Sequence, residues 1–182
     1  TVAVNDGVNA RPIGTYIFGQ GNDGPGIRYY PYSSDLSVNP WTYDSLALSS
    51  KFSNGLLTYD PHVVGEVWCN ILWTMTWNLI QDKGINKNIY NATANKGNSI
   101  ALRLVVEGMK LQSCSPGFVD GRNGILNADT LLFGGQYSDI IWQTFASRGL
   151  GYNASEGSTG NIKDGVADYS LPPVLFAKTA NT

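Results

Sequence analysis

The chain has 182 residues, enough to bury a core of ordinary size. Apolar residues make up 42% and charged ones only 14%, so its surface depends on Asn, Ser, Thr, Gly and Tyr for hydration, a composition common in secreted proteins. A net charge of −2, with no cluster of Lys or Arg, excludes nucleic acid and an anionic membrane as partners.

In chain order, residues 1–60 read as mostly irregular. RPIGTYIF (11–18) is the one short extended candidate, and a Gly/Asn/Asp/Pro turn cluster follows at 19–26. A helix is expected from about 61 to 82: Asp60 suits the N-cap, Pro61 the first helical position, and Gly84 the stop. Within it Val64, Val67, Trp68, Ile71, Leu72, Met75 and Leu79 recur at spacings of three and four. The polar interruptions Glu66, Asn70, Thr74, Thr76 and Asn78 mark an interior helix and exclude a membrane span. A second helix over about 97–111 places Ile100, Leu104, Val105, Val106 and Met109 toward one side. A third follows Ser115-Pro116 through Phe118, Ile125, Leu126 and Leu131, and a fourth covers about 137–148 and stops at Gly149. The expected fold class is therefore mainly α: residues 1–182 as one helical lobe, with an irregular N-terminal third (1–60) that carries a cleft-facing segment. The helical core is 61–149 and the tail 150–182.

Few constellations of common enzymes are present. The single histidine, His62, sits in the first turn of the first long helix, where its ring can reach the mouth of a cleft. One His and two Cys cannot build a His-rich or four-cysteine metal site. His62 and Glu66, four residues apart, make half of one with no third ligand nearby. There is no phosphate-binding P-loop, no G-x-S-x-G nucleophile elbow and no recognisable carboxylate pair among Glu66, Glu107 and Glu156. Cys69 and Cys114 are either one disulfide or two buried thiols. Asn91-Ala-Thr93 and Asn153-Ala-Ser155 are sequons that suit exposed loops of an exported protein, which makes Asn91 and Asn153 candidate glycosylation sites. The chain starts at Thr1 without a methionine or a leader, as expected of a processed or excised piece.

Four motifs in order stand out: GPGIRYYPYSSDLSVNPWTY (24–43), PHVVGEVWCNILWTMTWNLI (61–80), LRLVVEGMKLQSCSPGFVDGRNGILNADTLLFGG (102–135) and IIWQTFASRGLG (140–151). Together, over roughly residues 11–151, they resemble the C-terminal part of the fungalysin family, secreted zinc metallopeptidases of the thermolysin-like type. The resemblance implies a helical C-terminal lobe that forms one wall of an active cleft. In that family the H-E-x-x-H helix and the glutamate that completes the zinc site lie N-terminal to this region; both are absent here. Zinc is thus expected in the complete enzyme, held by an N-terminal zinc-binding lobe, with none held by this chain alone.

By the same resemblance, Arg28 of GIRYYPY is the arginine that hydrogen-bonds the peptide carbonyl just after the scissile bond. His62 of PHVVG is the catalytic histidine that donates to the developing oxyanion, with Asp60 the nearest carboxylate able to support a charged imidazole. Tyr29, Tyr30 and Tyr32 are expected along the adjoining subsite for peptide or protein substrates. Some family members carry a cysteine before the fourth helix that can pair with the one in LQ-x-C-x-P-x-F; here Ser138 stands in that stretch, so Cys114 lacks that partner. Two functions are then expected from different classes. One is the lobe of a secreted, extracellular endopeptidase, inactive alone; the other is a non-catalytic binding or self-assembling module derived from it.

Overall fold

Asp60 opens the central helix. In the computed structural model, which describes residues 3–53, 56–91 and 93–174 and the side chains of these except 48–59, its Oδ1 accepts the His62 backbone N–H at 3.0 Å. Pro61 follows as the first residue of α1 (Pro61–Lys83), and Gly84 ends it at φ 74°. Val67, Ile71, Met75 and Leu79 form its fully buried stripe, while Val63, Glu66, Asn70, Thr74, Trp77 and Ile80 are buried on its other sides. A helix covered on so many faces becomes the axis around which the rest packs.

α2 (Gly97–Leu111) and α3 (Phe118–Phe133) pack beside it as a pair, and α4 (Ser138–Ser147) adds Ile141 and Phe145 to the same core. Two glycines set how closely these helices approach. Gly97 lies against the α1 backbone at Leu79 and Ile80, where any Cβ would collide, and a Cβ on Gly124 would stand 2.7 Å from the Gly108 carbonyl oxygen. Each fully buried Ile, Leu or Met in this cluster contributes about 1.5–3 kcal/mol of burial. The mainly α architecture and the four helices lie where the sequence pattern puts them. Three assigned core residues do not: Val106, Met109 and Leu131 are exposed. On α2, Val106 and Met109 fall about 240° and 180° around from Ile100 at ~100° per residue, off the buried line of Ile100 and Leu104.

The N-terminal third is irregular, as expected, with differences in detail. RPIGTYIF is not a strand. Arg11 makes one antiparallel bridge to Tyr32, Gly14 turns at φ 78°, and Tyr16–Phe18 is a short 3-10 turn. The extended pair lies later, β1 (Ser50–Ser53) against β2 (Leu56–Tyr59), antiparallel with Ser50 opposite Tyr59 and Ser53 opposite Leu56. The Asn54-Gly55 dipeptide between the strands is the hairpin signal that the sequence carries for it. The tail is ordered through residue 174. Leu150 and Asp168 form a parallel bridge, Ser155 and Val166 an antiparallel one, and the buried Arg122 donates to the carbonyls of Leu150 and Gly151. Residues 175–182 of the expected tail lie outside the described residues.

Residues 28–41 run along α1 with few backbone partners, and buried side chains of the helices hold them there. The fully buried Arg148, just after α4, donates from Nη1 to the carbonyls of Asn39 (2.7 Å) and Trp41 (3.1 Å) and from Nη2 to that of Ser33 (3.0 Å). Burial pushes its guanidinium down to about 10, which still leaves it charged at neutral pH. Glu66 of α1, buried as deeply, accepts the N–H groups of Tyr29 (3.2 Å) and Tyr30 (2.9 Å) and the indole N–H of Trp41 (2.9 Å). Asn70, one turn further on, accepts from Ser33 at 3.1 Å.

Two substitutions test these clamps. Arg148→Met keeps the volume but leaves three carbonyls without their donor, at roughly 1–3 kcal/mol per unsatisfied group. A loss of about 3 kcal/mol is expected in urea unfolding, with Arg148→Lys recovering only part because it lacks the planar fork. A wild-type midpoint for Arg148→Met would show that the clamp contributes nothing. Glu66→Gln turns an amide N–H₂ toward donors and is expected to cost about 1–3 kcal/mol. Faster amide exchange at Tyr29 and Tyr30 should accompany it, and unchanged exchange there would refute the anchoring role.

Candidate functional site

The cleft at the N-terminal end of α1 holds about 510 Å³ and is lined by Gly26, Ile27, Arg28, Tyr29, Asp60, His62 and Glu66. One wall is the start of the helix and the other is the loop that Glu66 anchors to it. The His62 side chain is 77% exposed, with Nδ1 3.1 Å from Asp60 Oδ1. That same oxygen caps the helix through the His62 N–H. One buried carboxylate therefore both starts α1 and orients the imidazole, which leaves Nε2 to meet a ligand.

Opposite it, Arg28 makes no hydrogen bond or ion pair among the described residues, and its Nε is shielded from solvent without a partner. Its backbone is set by its neighbours. Gly26 has φ 72°, a Cβ there would meet the Ile13 carbonyl oxygen at 2.5 Å, and its N–H donates to Gln20 Oε1 at 2.7 Å. Ile27 N–H donates to the Ile13 carbonyl at 2.8 Å. The guanidinium is thus held over the cleft with its donors uncommitted.

Of the three tyrosines expected along the subsite, Tyr29 lines the cleft; Tyr30 and Tyr32 do not. The Tyr30 ring stands edge-on to Trp41 at 5.2 Å between centroids, and the Tyr32 ring packs on Trp73 at 6.2 Å. Burial, together with the adjacent Cys69, pushes the Tyr32 hydroxyl up to about 12. Sequence reading singled out the tyrosines, and the feature it missed is Glu66. Its three donors are 25 to 37 residues distant in sequence, and no local motif announces them.

The cysteines are neither a disulfide nor buried: both are free, exposed thiols. Cys69, on α1, lies beside Tyr32, and Cys114 belongs to the loop that leads from α2 into α3. Asn91 and Asn153 are both exposed. Asn91 Oδ1 accepts from Thr93 Oγ1 at 3.1 Å, and Asn153 Nδ2 donates to Ser170 Oγ at 3.0 Å.

The residues at this cleft do not fit a catalytic zinc. Such a site takes three protein ligands, and among the described residues no three His, Cys, Asp or Glu side chains are grouped to hold a metal ion. Glu66, which sequence spacing pairs with His62, has its carboxylate occupied by three N–H donors, and His62 Nδ1 is on Asp60. What the cleft offers is two side chains in its lining that can donate hydrogen bonds, His62 and Arg28.

Residues 1–154 match the family of fungalysin metallopeptidases (M36). The chain is 41% identical over 145 residues to an extracellular metalloproteinase (mep) of Aspergillus fumigatus, which covers 78% of this chain and 22% of that protein. It is 40% identical over 141 residues to the extracellular metalloproteinase MEP of Neosartorya fischeri (75% of this chain, 21% of that one). With extracellular metalloproteinase 2 of Trichophyton tonsurans it shares 36% over 151 residues (81% and 22%). The chain thus spans about a fifth of the length of these relatives, and it belongs to the fungalysin metallopeptidase family.

Proposed function

We propose that residues 1–182 form one lobe of a secreted, extracellular zinc endopeptidase, and that this lobe supplies the substrate-side wall of the active cleft. The observation that carries the reading is the shared cleft of His62 and Arg28, whose guanidinium has no acceptor among the described residues. Family membership and the extracellular metalloproteinases among its relatives support the chemistry and the location. In the complete protein, zinc held by an N-terminal lobe supplies the Lewis acid for water attack on the peptide bond.

The roles of this chain's residues follow from their donors. Arg28 hydrogen-bonds the carbonyl of the residue just after the scissile bond, which fixes the peptide's register. His62, its ring set by Asp60, donates from Nε2 to the scissile carbonyl oxygen as that oxygen gains negative charge. A fixed donor at that oxygen is worth roughly 3–4 kcal/mol in a water-poor cleft. Tyr29 flanks the same peptide. Peptide or protein chains are the substrates, and Asn91 and Asn153 accept N-linked glycan where the host has the transferase. Among the described residues, no helix is long and apolar enough to cross a membrane.

A second reading, a non-catalytic binding or self-assembling module, draws on the apolar face beside the cleft. Ile27 lines the cleft and is exposed, as are Ile13, Tyr16 (93%), Ile17 (77%) and Phe18 (61%) in the same N-terminal third. In the first reading the N-terminal lobe covers this face.

Kinetics of the complete protease separate the two. His62→Ala should lower kcat by roughly two to three orders of magnitude with KM little changed, whereas Arg28→Ala should raise KM as well, because its contact precedes the transition state. Wild-type turnover in a folded, zinc-loaded His62→Ala protein would leave only the module reading. For the isolated 182 residues, metal analysis after exposure to zinc should find no tightly bound equivalent, and peptide substrates should survive. One tightly held zinc per chain would overturn the division of the site between lobes.

A further inference from the structure

Arg28 stands between two depressions. One is the cleft shared with His62; the other, of about 300 Å³, is lined by Pro12, Asp23, Pro25, Tyr29 and Pro31 as well as Arg28 itself. Only Arg28 and Tyr29 belong to both, so the second depression adjoins the cleft at these two residues. We propose that the second depression receives the side chain of the second residue after the scissile bond, and that Asp23 makes it selective for lysine or arginine. The assignment rests on the roles given above to His62 and Arg28.

An extended peptide advances at most ~3.3–3.6 Å per residue and turns successive side chains to opposite faces. With the scissile carbonyl at His62 and the next carbonyl at Arg28, the following residue is the one delivered to the far side of Arg28. Chemistry then selects its side chain. Three prolines and the Tyr29 ring suit the methylene stem of a long side chain, and the ring adds a favourable face for a cation. Asp23 is exposed and has no hydrogen bond or ion pair among the described residues, so its carboxylate is open to a basic head group. A glutamate at the same place would meet like charge at Asp23, while Arg28, the cation in the lining, is engaged with the peptide carbonyl in the reading above. The depression is also preformed: Gly24 N–H donates to Gly21, Gly26 N–H to Gln20, and Ile27 N–H to Ile13, which fixes the loop on either side of Pro25.

The test uses the complete zinc-bearing protease and three internally quenched peptides that differ only in the second residue after the scissile bond: lysine, norleucine or glutamate. Mass spectrometry checks that the cut stays in place. The wild type should favour lysine over norleucine by roughly threefold to fivefold in kcat/KM, the range of one exposed ion pair, and disfavour glutamate. Asp23→Asn should bring lysine level with norleucine and Asp23→Lys should reverse the order, each read as a ratio to norleucine cleavage by the same variant. A lysine preference that survives Asp23→Asn, no lysine preference in the wild type, or an equal fall on all three peptides would overturn the proposal. Failure of the underlying reading has its own signature, wild-type turnover of the norleucine peptide by His62→Ala.

Discussion

The segment that carries Arg28 has little backbone hydrogen bonding of its own, and three buried side chains from the helices make up the deficit. A peptide group shut away from water without a partner costs about 1–3 kcal/mol, so residues 28–41 could not lie against α1 unless something received their N–H and C=O groups. Glu66 and Asn70 receive the N–H groups of Tyr29, Tyr30 and Ser33, while Arg148 donates to the carbonyls of Ser33, Asn39 and Trp41. The polarity is divided cleanly: carboxylate and amide oxygens serve donors, and the guanidinium serves acceptors. Both ends of the loop are thereby tied to rigid helices, and the groove between loop and helix becomes the cleft.

The tail repeats this arrangement on the far side of the core. Glu156 accepts the Val119 and Asp120 N–H groups at the open start of α3, where Gly117 leaves room for its carboxylate and the helix dipole favours its charge. Arg122 donates to Leu150 and Gly151, and its guanidinium lies over the Trp142 ring at 4.7 Å. Burial pushes its guanidinium below the usual arginine range, and nearby Glu156 and Asp168 oppose the shift. In a chain that is only 14% charged, several of the charges are thus structural cross-links between irregular backbone and helix ends.

Asp60 joins stability to chemistry. The oxygen that caps α1 is the oxygen that meets His62 Nδ1, so the ring is oriented by the same contact that starts the central helix. The rigidity of the core reaches the cleft with no intervening flexible element. The position of an N-cap also explains why a well-oriented histidine is still largely exposed: the first turn of a helix projects from the core that its later turns build.

Periodicity and capping made the helices legible. Asp60, Pro61 and Gly84 bound α1, the three- and four-residue spacing marks its buried stripe, and the ordered motifs bring Arg28, Tyr29 and His62 forward as candidates, which share the lining of one cleft. The same cues fail where the backbone is irregular. RPIGTYIF has the composition of a strand but pairs only through the single Arg11–Tyr32 bridge, since Gly14 then turns the chain, and the hairpin formed instead where Asn54-Gly55 separates two short runs. Glu66 looked like half a metal site because helical spacing sets it beside His62. Its carboxylate goes to Tyr29, Tyr30 and Trp41, partners that only the tertiary fold brings near. Arg148 looked unremarkable for the same reason, since its three acceptors lie 107 to 115 residues earlier. Local sequence determines helices because their hydrogen bonds close within four residues. Which buried charge satisfies which distant peptide group is decided only when the core has formed around them.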